Sequence, residues 1–441
     1  MVRSWPSPAS LLSAEARRTL VRLLPLLGVF LLVGVLTRPV HTGGDEVPLL
    51  AATHRLLHGG YALVGTMDSS KYLWHGPGLP ALLTPLVALG VPLSGLRLTS
   101  PLLMFTAVLM FYRLLRLRLS PRGALIGAYG LALYVPAYYV LGTLDKDPLA
   151  LLLSVVSLDA TARYVLRGRR RQALLAGLSL GALAMTRLEY GLVITLALGA
   201  GLGWWLVARL RHRPTRVARR WTLVCALGLL ACVPWLTYTY SLTHHFFYWG
   251  NSGGISLYWM SSPDPSQLGS WHASHSVFAD PALAGYRPFF HHLATLGPVR
   301  ADLELRHIAL VQAVGHPAKY ALNLLANLSR MFFGFPFSFA LSATAIAGLI
   351  LINGTLMAGL VASARPLLRA RRRLPPETIP FVLFASLGFV VHVFPSAEPR
   401  MLIPILPVAI WLIGQAVQRA RAGPGALAAR PAMIRPAGRR I

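Results

Sequence analysis

Two adjacent carboxylates, Asp45 and Glu46, follow the first hydrophobic stretch of the chain, in the run His41-Thr-Gly-Gly-Asp-Glu. Ionisable side chains at the edge of a membrane are costly to keep there and usually serve a function. A carboxylate in this place could act as a general base on a hydroxyl group. The structural alternatives are a solvated loop pair or an N-cap for a following helix. Asp45, and after it Glu46, are therefore the first candidates for catalysis.

A second acidic pair, Asp145 and Asp147, flanks Lys146 just ahead of Pro148. An Asp followed by Pro is typical of a helix start, with Asp as N-cap and Pro at the first helical position. That role is compatible with a catalytic one, so all three charged residues are candidates.

Two further charged pairs interrupt apolar sequence, Arg187 with Glu189 and Glu398 with Arg400. Each pair could be a turn closed by a salt bridge. Each could also serve a phosphate-bearing lipid, because a guanidinium offers a planar set of donors that matches phosphate. The sequence leaves both interpretations open.

Histidine, tryptophan and cysteine residues give weaker indications. Trp271 is a candidate for stacking on a sugar, whereas His272 and His275 show no spacing typical of a compact metal site. We assign no metal ligand, and a divalent metal cofactor stays open. Cys225 and Cys232 lie in one apolar stretch, which argues against thiol catalysis and Cys-based metal binding.

The elements that hold these residues are predicted to be membrane helices. Hydrophobic residues make up 55% of the 441 residues and charged residues 13%, whereas about a quarter of a soluble domain is charged. Apolar stretches of about 20 residues, enough to cross a hydrocarbon core of about 30 Å, recur along the chain. The net charge of +28 comes from Arg clusters between these stretches, so we expect contact with a lipid bilayer and none with nucleic acid.

The pattern predicts an all-α polytopic membrane protein with about ten transmembrane helices and extracytoplasmic juxtamembrane helices. The spans are expected near 20–38, 96–115, 123–142, 148–166, 172–186, 190–208, 221–240, 338–363, 378–395 and 401–418. Two more apolar stretches, 79–93 and 318–336, would break the charge pattern if they crossed. They are expected to lie on the outer face or dip into it.

The charge distribution predicts the orientation. Loops and termini on one side hold 30 of the 42 Lys and Arg residues, and 11 of the 14 acidic residues lie on the other side. By the positive-inside rule both termini are cytoplasmic and the acidic candidates are extracytoplasmic. The expected location is the inner (plasma) membrane, which the chain crosses many times.

One membrane domain is expected over residues 1–422, with long outer segments at about 39–95 and 241–337. Residues 423–441 are rich in Arg, Ala and Pro. A segment of this composition is expected to form a disordered, basic cytoplasmic tail.

Several short motifs follow one another in an order that is known from one family. They are Gly44-Asp-Glu46, His75-Gly-Pro-Gly-Leu-Pro80, Leu96-Arg-Leu-Thr-Ser100, Asp145-Lys-Asp-Pro-Leu149, Leu175-Ala-Gly-Leu-Ser-Leu-Gly181, Thr186-Arg187 and Glu398-Pro-Arg-Met-Leu-Ile-Pro404. No single motif is specific, but their order and membrane side are, and together they cover most of the chain. The chain resembles the GT-C superfamily of polyprenyl-phosphate-dependent glycosyltransferases, near the protein O-mannosyltransferase and aminoarabinose transferase branch. It departs from the family in having Gly76-Pro77 for Pro-Pro and Arg187 for Lys.

The resemblance implies an inverting transfer of a hexosyl or pentosyl group from a polyprenyl-phosphate donor to a glycan, lipid or protein acceptor at the extracytoplasmic face. It implies Asp45 as the base, with Glu46 beside it, and Asp147 as a second acid that holds or polarises the acceptor. Three cations would neutralise the lipid phosphate: Arg187, Arg400 and Lys146. Four further side chains would contact the acceptor or the sugar: Asp145, Glu189, Trp271 and Glu398.

Two other classes of protein stay open at this point. A membrane transporter or lipid flippase would bury ionisable groups near the midplane and show internal repeats, whereas here only Asp159 lies inside a span and no repeat is evident. A non-catalytic scaffold for envelope assembly would lose no glycan when Asp45 is replaced.

Overall fold

A computed structural model of the chain describes residues 14–63, 72–338, 341–369 and 374–426. Within these ranges the chain forms α-helices and short 3-10 helices and contains no strand. The predicted all-α fold class is therefore confirmed. The predicted tail lies outside the described residues from 427 onward.

Nineteen α-helices are described, numbered here in chain order. They are α1 (Ala14–Leu36), α2 (Glu46–Leu57), α3 (Gly78–Ala88), α4 (Leu93–Arg97), α5 (Thr99–Leu115), α6 (Pro121–Ala132), α7 (Lys146–Arg167), α8 (Arg170–Thr186), α9 (Glu189–Leu210), α10 (Arg216–Ala231), α11 (Val233–Thr243), α12 (Gly253–Ser261), α13 (Ser274–Ala279), α14 (Arg287–Leu296), α15 (Pro298–Gly315), α16 (Pro317–Phe333), α17 (Ala343–Arg369), α18 (Thr378–Val393) and α19 (Leu406–Ala426). Two 3-10 helices matter for the site, Val135–Val140 and Pro399–Leu402.

In the part of the chain that the structure describes, five helical segments are long and apolar enough to cross a membrane: α1, α4 with α5, α7, α9 and α17. Helices α10 and α11 count as a sixth if the pair, bent by 45°, is one span. The bend falls at Pro234, whose ring cannot continue the helical hydrogen-bond ladder. The multi-pass architecture is confirmed. The count of ten stays a prediction, because the other expected spans correspond to the shorter helices α6, α8, α18 and to α19.

The core of the bundle forms where the central helices meet. Helix α7 packs against α5 and α8, and α10 packs against α8 and α9. Buried apolar side chains such as Phe111, Val155 and Leu180 fill these contacts. This packing fixes the start of α7 and the end of α8, where Asp147 and Arg187 lie.

A different ion pair lies at each end of α5. At one end Arg97 donates to Glu46 over 2.8 and 2.6 Å. Beyond the other end Arg118 donates to Glu377 over 2.6 and 2.8 Å, and Gln418 donates to the carbonyl of Arg118. Segments predicted to be cytoplasmic therefore meet at one end of the bundle, and the acidic candidates meet at the other.

The amphipathic helix α16 buries its polar face. Asn323, Asn327 and Arg330 recur at helical spacing and are almost completely buried, whereas Leu325 on the opposite face is 65% exposed. The buried side chains donate to carbonyls of other segments: Met260 and Val393, in the last turns of α12 and α18, and Leu268 in a loop. Lipid offers no such acceptors, so the polar stripe turns inward, and α16 ties the outer loops together.

Candidate active site

Asp45 stands at the entrance to the site. Gly44 adopts the left-handed conformation (φ +57°), and this turn places Asp45 at the N-cap position of α2. The carboxylate makes no capping hydrogen bond, so Asp45 occupies the N-cap position without serving as a side-chain cap. Its side chain is 23% exposed and faces a group of cationic side chains.

Three side chains lie around the Asp45 carboxylate. Arg400 Nη1 is 3.5 Å, His75 Nε2 3.7 Å and Lys146 Nζ 3.9 Å from its oxygens. Lys146 Nζ is also 3.2 Å from His75 Nδ1. An ammonium group can only donate, so His75 accepts at Nδ1 and a neutral His75 carries its proton on Nε2, the atom that faces Asp45. His75 belongs to one of the motifs recognised in the sequence, but its contact with the predicted base was not predicted.

The loop of His75 is held against the end of α8 by glycine. A Cβ atom on Gly76 would lie 2.0 Å from the carbonyl oxygen of Met185, and one on Gly78 would lie 2.2 Å from Thr186 Oγ1. Only glycine permits so close an approach. The backbone contact brings the loop beside the residue that precedes Arg187.

Asp145 connects the first carboxylate to the start of α7. Its side chain accepts from Asp147 N–H (2.8 Å) as the N-cap of α7, and it pairs with Arg400 Nη1 (3.0 Å). Burial, together with the nearby charges of Asp147 and Asp45, raises the pKa of Asp145 to about 6, against the opposing effect of Arg400. The N-cap of this helix is therefore Asp145, not Asp147.

Asp147 and Arg187 form a fully buried pair. Arg187 donates to Asp147 Oδ1 from Nε (2.7 Å) and from Nη2, and to Glu189 Oε1 from Nη1 (2.6 Å). His392 Nε2 lies 3.4 Å from the same Glu189 oxygen. Asp147 Oδ2 is buried and has no hydrogen-bond partner among the described residues. Of the two sequence interpretations of Arg187, the salt bridge to Glu189 is formed, and the guanidinium has almost no exposed surface.

Glu46 lies behind the cluster and is engaged on both oxygens. It binds Arg97 in a two-point contact and accepts from Leu144 N–H (3.1 Å). Burial alone would raise the pKa of Glu46, but the hydrogen bonds from Arg97 and Leu144 lower it below its usual value. The contacts join α2 to the segments that precede α5 and α7.

An apolar groove of about 240 Å³ ends at the cluster. Its walls are mainly apolar: Pro136, Tyr139, Val140, Phe337, Leu341 and Leu349. Three charged residues, Glu398, Arg400 and Arg330, also line it, and Glu398 pairs with Arg400 Nε over 2.9 Å.

Arg330 is a buried cation without a described counter-ion. It is 2% exposed, and no carboxylate lies within 4 Å of it among the described residues. Its two terminal nitrogens donate to the carbonyls of Leu268, Pro336 and Gly269. Its Nε has no hydrogen-bond partner among the described residues. Burial lowers the pKa of Arg330 to about 10. Sequence reasoning placed it on the polar face of a helix and missed its position in the groove.

The structure brings nine of the ten predicted site residues into one connected set and leaves Trp271 apart from it. Trp271 packs edge-on against Trp74 (6.5 Å between ring centres), and its backbone N–H donates to Ser338 Oγ. Within the described residues no group of three or more His, Cys, Asp or Glu side chains is spaced to hold a metal ion.

Comparison with known proteins agrees with the motifs. Residues 74–238 match the family model described as dolichyl-phosphate-mannose-protein mannosyltransferase. The matched segment includes His75, Asp145, Asp147 and Arg187. The resemblance to GT-C glycosyltransferases is therefore confirmed.

Solved structures of the oligosaccharyltransferase AglB from Archaeoglobus fulgidus are similar at low identity. One, in complex with an inhibitory peptide and a dolichol-phosphate, has a TM-score of 0.49 and 16% identity, covering 90% of this chain and 50% of that one. Another, tethered to an acceptor peptide, has the same TM-score, identity and coverage of this chain, and 49% of its own chain is covered. The chain thus spans about half the length of these proteins. No curated protein matches it.

Proposed function

We propose that the protein transfers a sugar from a polyprenyl-phosphate-linked donor to an acceptor at the extracytoplasmic face of the membrane, with inversion and with Asp45 as the general base. The observation that carries this proposal is the position of Arg400. Its Nη1 lies 3.5 Å from Asp45 and 3.0 Å from Asp145, and the same residue lines the apolar groove. One guanidinium thus joins a partly exposed carboxylate to a site suited to a lipid chain.

The chemistry of the groove supports a lipid-phosphate donor. Apolar walls suit a prenyl chain, and Arg400 suits the phosphate at its end. Arg330, whose terminal nitrogens are bound to carbonyls, adds positive charge that no described carboxylate neutralises. Hydrogen bonds between guanidinium and phosphate are among the strongest in proteins. The description of the family matched over residues 74–238, which names a dolichyl-phosphate-mannose donor, agrees with this choice.

The proposed reaction is a single displacement. Asp45 accepts the proton of the acceptor hydroxyl, and the oxygen attacks the anomeric carbon from the face opposite the phosphate. The bond between that carbon and the phosphate oxygen breaks, and the electron pair leaves with the lipid phosphate. Arg400, with Lys146 nearby, stabilises the leaving group, because fixed positive charge in a partly dry site lowers the barrier where negative charge develops. One displacement inverts the configuration of the sugar.

The buried pair has a positioning role in this scheme. Arg187 already uses its donors on Asp147 and Glu189, so a phosphate could reach it only by displacing a carboxylate. We therefore propose that Arg187 fixes Asp147 and Glu189 and shapes the site from behind. Asp145 and Glu398 orient Arg400, and Glu46 anchors the turn that presents Asp45.

Replacing Asp45 with Asn tests the proposal. The change keeps the size of the side chain and removes its basicity, so the protein should insert and bind donor lipid while transfer falls by roughly 10²-fold or more. The assay uses the full chain in proteoliposomes with a radiolabelled polyprenyl-phosphate sugar, and follows both donor binding and product formation. Glu304→Gln, on α15 of the outer segment, is the matched control and should leave the rate unchanged. Near wild-type turnover of the Asp45 variant would remove this residue from the mechanism.

A further inference from the structure

A second cavity, of about 260 Å³, lies in the outer segment beside the cluster. Trp74 lines this cavity, and the next residue, His75, lies 3.7 Å from the Asp45 carboxylate. The cavity shares no lining residue with the donor groove. Two neighbours of Asp45 are thus related to the two pockets: Arg400 lines the groove, and His75 directly follows Trp74, which lines this cavity.

The lining of the second cavity combines aromatic faces with uncharged and acidic polar groups. Trp74, Phe278 and Phe290 contribute rings, and Asn251, His275 and Asp302 contribute polar atoms. No Lys or Arg belongs to the described lining, in contrast to the groove with its two guanidinium groups. Such a lining suits neither a phosphate nor a long apolar chain.

The polar groups of the cavity are held in place by their neighbours. Asn251 Oδ1 accepts from Leu73 N–H (2.9 Å), which fixes the backbone just before Trp74. Asp302 accepts from Tyr248 O–H (3.0 Å) and Gly254 N–H (2.7 Å) and forms an ion pair with Arg306 Nε (2.9 Å), which does not line the cavity. Preformed pockets with a few fixed polar groups among apolar walls are typical of small-molecule sites.

The size of the cavity limits the ligand. Pockets for drug-sized ligands measure about 300–1,000 Å³, so this cavity takes one smaller unit, such as a single sugar ring. A sugar ring has a C–H face that packs on aromatic rings and an edge of hydroxyl groups that bonds to amide, imidazole and carboxylate groups. Both kinds of partner line the cavity.

We infer that this cavity binds a sugar ring of the acceptor, so that the acceptor is a glycan. The inference rests on the proposed function, because it assigns the substrate class of the same site. A ring seated against Trp74 would contact the residue that directly precedes His75, the neighbour of Asp45. The donor lipid in its groove and the acceptor ring in this cavity then approach the carboxylate through different neighbours.

Binding of simple glycosides tests the inference without knowledge of the natural acceptor. Methyl α-D-mannopyranoside, methyl α-D-glucopyranoside and methyl α-D-arabinofuranoside are offered to the full chain in lipid nanodiscs, and saturation-transfer NMR reports binding. We expect at least one of them to bind the wild type. Phe278→Ala should raise its Kd roughly five- to tenfold, the loss expected for one aromatic contact, and His275→Ala should weaken binding as well. The control is Phe246→Ala, an exposed aromatic residue of the outer segment that does not line the cavity.

The outcomes separate this inference from the proposed function. Asp45→Asn should keep glycoside binding while losing transfer. If the wild type transfers sugar from the labelled donor but binds none of the glycosides, or if Phe278→Ala and Phe246→Ala affect binding equally, the glycan site is refuted and the transferase survives. If glycosides bind through Phe278 but no sugar leaves the donor, the cavity is upheld and the proposed reaction fails.

Discussion

The carboxylates of the site differ in what neutralises them. Asp147 and Glu46 are each held by a guanidinium at two points and are closed to solvent. Asp45 has its cationic neighbours at 3.5–3.9 Å and keeps part of its surface exposed. Glu46 has both oxygens engaged, and Asp147, whose Oδ2 has no described partner, is completely buried. A general base must come within hydrogen-bond reach of the acceptor hydroxyl, so Asp45 is the best-placed base in the set.

The pair of Arg187 and Asp147 gives a prediction that separates positioning from phosphate binding. Arg187→Gln leaves a buried carboxylate without its cation, which costs about 3–5 kcal/mol of stability. Adding Asp147→Asn removes the stranded charge, so the double variant should melt at a higher temperature than Arg187→Gln alone. Thermal unfolding of the purified variants, with and without donor lipid, measures this. A variant Arg187→Gln with unchanged melting temperature and weakened donor binding would show that Arg187 meets the phosphate instead.

Asp145 makes stability depend on pH in a defined direction. Its pKa of about 6 in the folded protein exceeds the value of about 3.9 expected for an unfolded chain. The folded state therefore binds the extra proton more tightly, and this contribution to stability is complete below about pH 4 and is lost as the pH rises through 6. The melting temperature of the wild type relative to Asp145→Asn should accordingly fall between pH 4 and pH 7. A difference that grows with pH would mean that the ion pair with Arg400 outweighs burial.

At the scale of elements, α16 controls the loop that carries Arg400. Asn327 donates to the carbonyls of Val393 (2.7 Å) and Pro395 (2.9 Å) and accepts from Ala397 N–H (2.8 Å). The 3-10 helix with Arg400 begins two residues later, at Pro399. A side chain on one helix thus fixes the backbone that presents the cation shared by base and groove.

Asn327→Ala should therefore weaken donor binding, although the side chain of Asn327 does not contact the donor. The change removes the partner of three backbone groups, of which Ala397 N–H is buried and the other two are partly buried. An unsatisfied buried group costs about 1–3 kcal/mol, so the melting temperature should drop and affinity for the donor lipid should fall roughly tenfold. Leu325→Ala, on the exposed face of the same helix, is the control and should preserve affinity. If both variants bind donor as the wild type does, α16 has no part in positioning Arg400.

The same helix shows what sequence can and cannot tell at this scale. The spacing of Asn323, Asn327 and Arg330 correctly indicates a helix with a polar face. Which face is buried depends on carbonyls from residues 260–270 and 393–397, far away in the sequence. The periodicity of polar residues shows that the helix has a polar face and an apolar face. Tertiary hydrogen bonds determine which of the two faces is buried.

At the scale of the whole molecule, the charge pattern predicts which segments share a side. Arg118 and Glu377, assigned to the basic side, form an ion pair, and the acidic candidates gather at the other end of α5. Both observations agree with the pattern. The charge of the loops between spans determines how the chain inserts into the membrane, and that charge can be read directly from the sequence. The sequence offered the pairing of Arg187 with Glu189, but it could not show that Arg187 also binds Asp147 or that His75 faces Asp45, because these contacts depend on how helices meet.

Orientation can be tested with single cysteines in the intact chain. The native residues Cys225 and Cys232 are buried, so they should react little with polar maleimides. In whole cells or right-side-out vesicles, His292→Cys in the outer segment should be labelled by an impermeant maleimide, and Arg213→Cys, between α9 and α10, should react only after permeabilisation. The reverse pattern would overturn the extracytoplasmic site.

The groove also determines which measure of donor concentration controls the rate of the proposed transfer reaction. One of its walls comes from α17, a helix long enough to cross the bilayer, so a prenyl donor would enter it sideways while its tail stays dissolved in lipid. The reaction then takes place in two dimensions. Its rate follows the mole fraction of donor among the surrounding lipids, and adding inert lipid slows it, whereas adding buffer to the same vesicles does not.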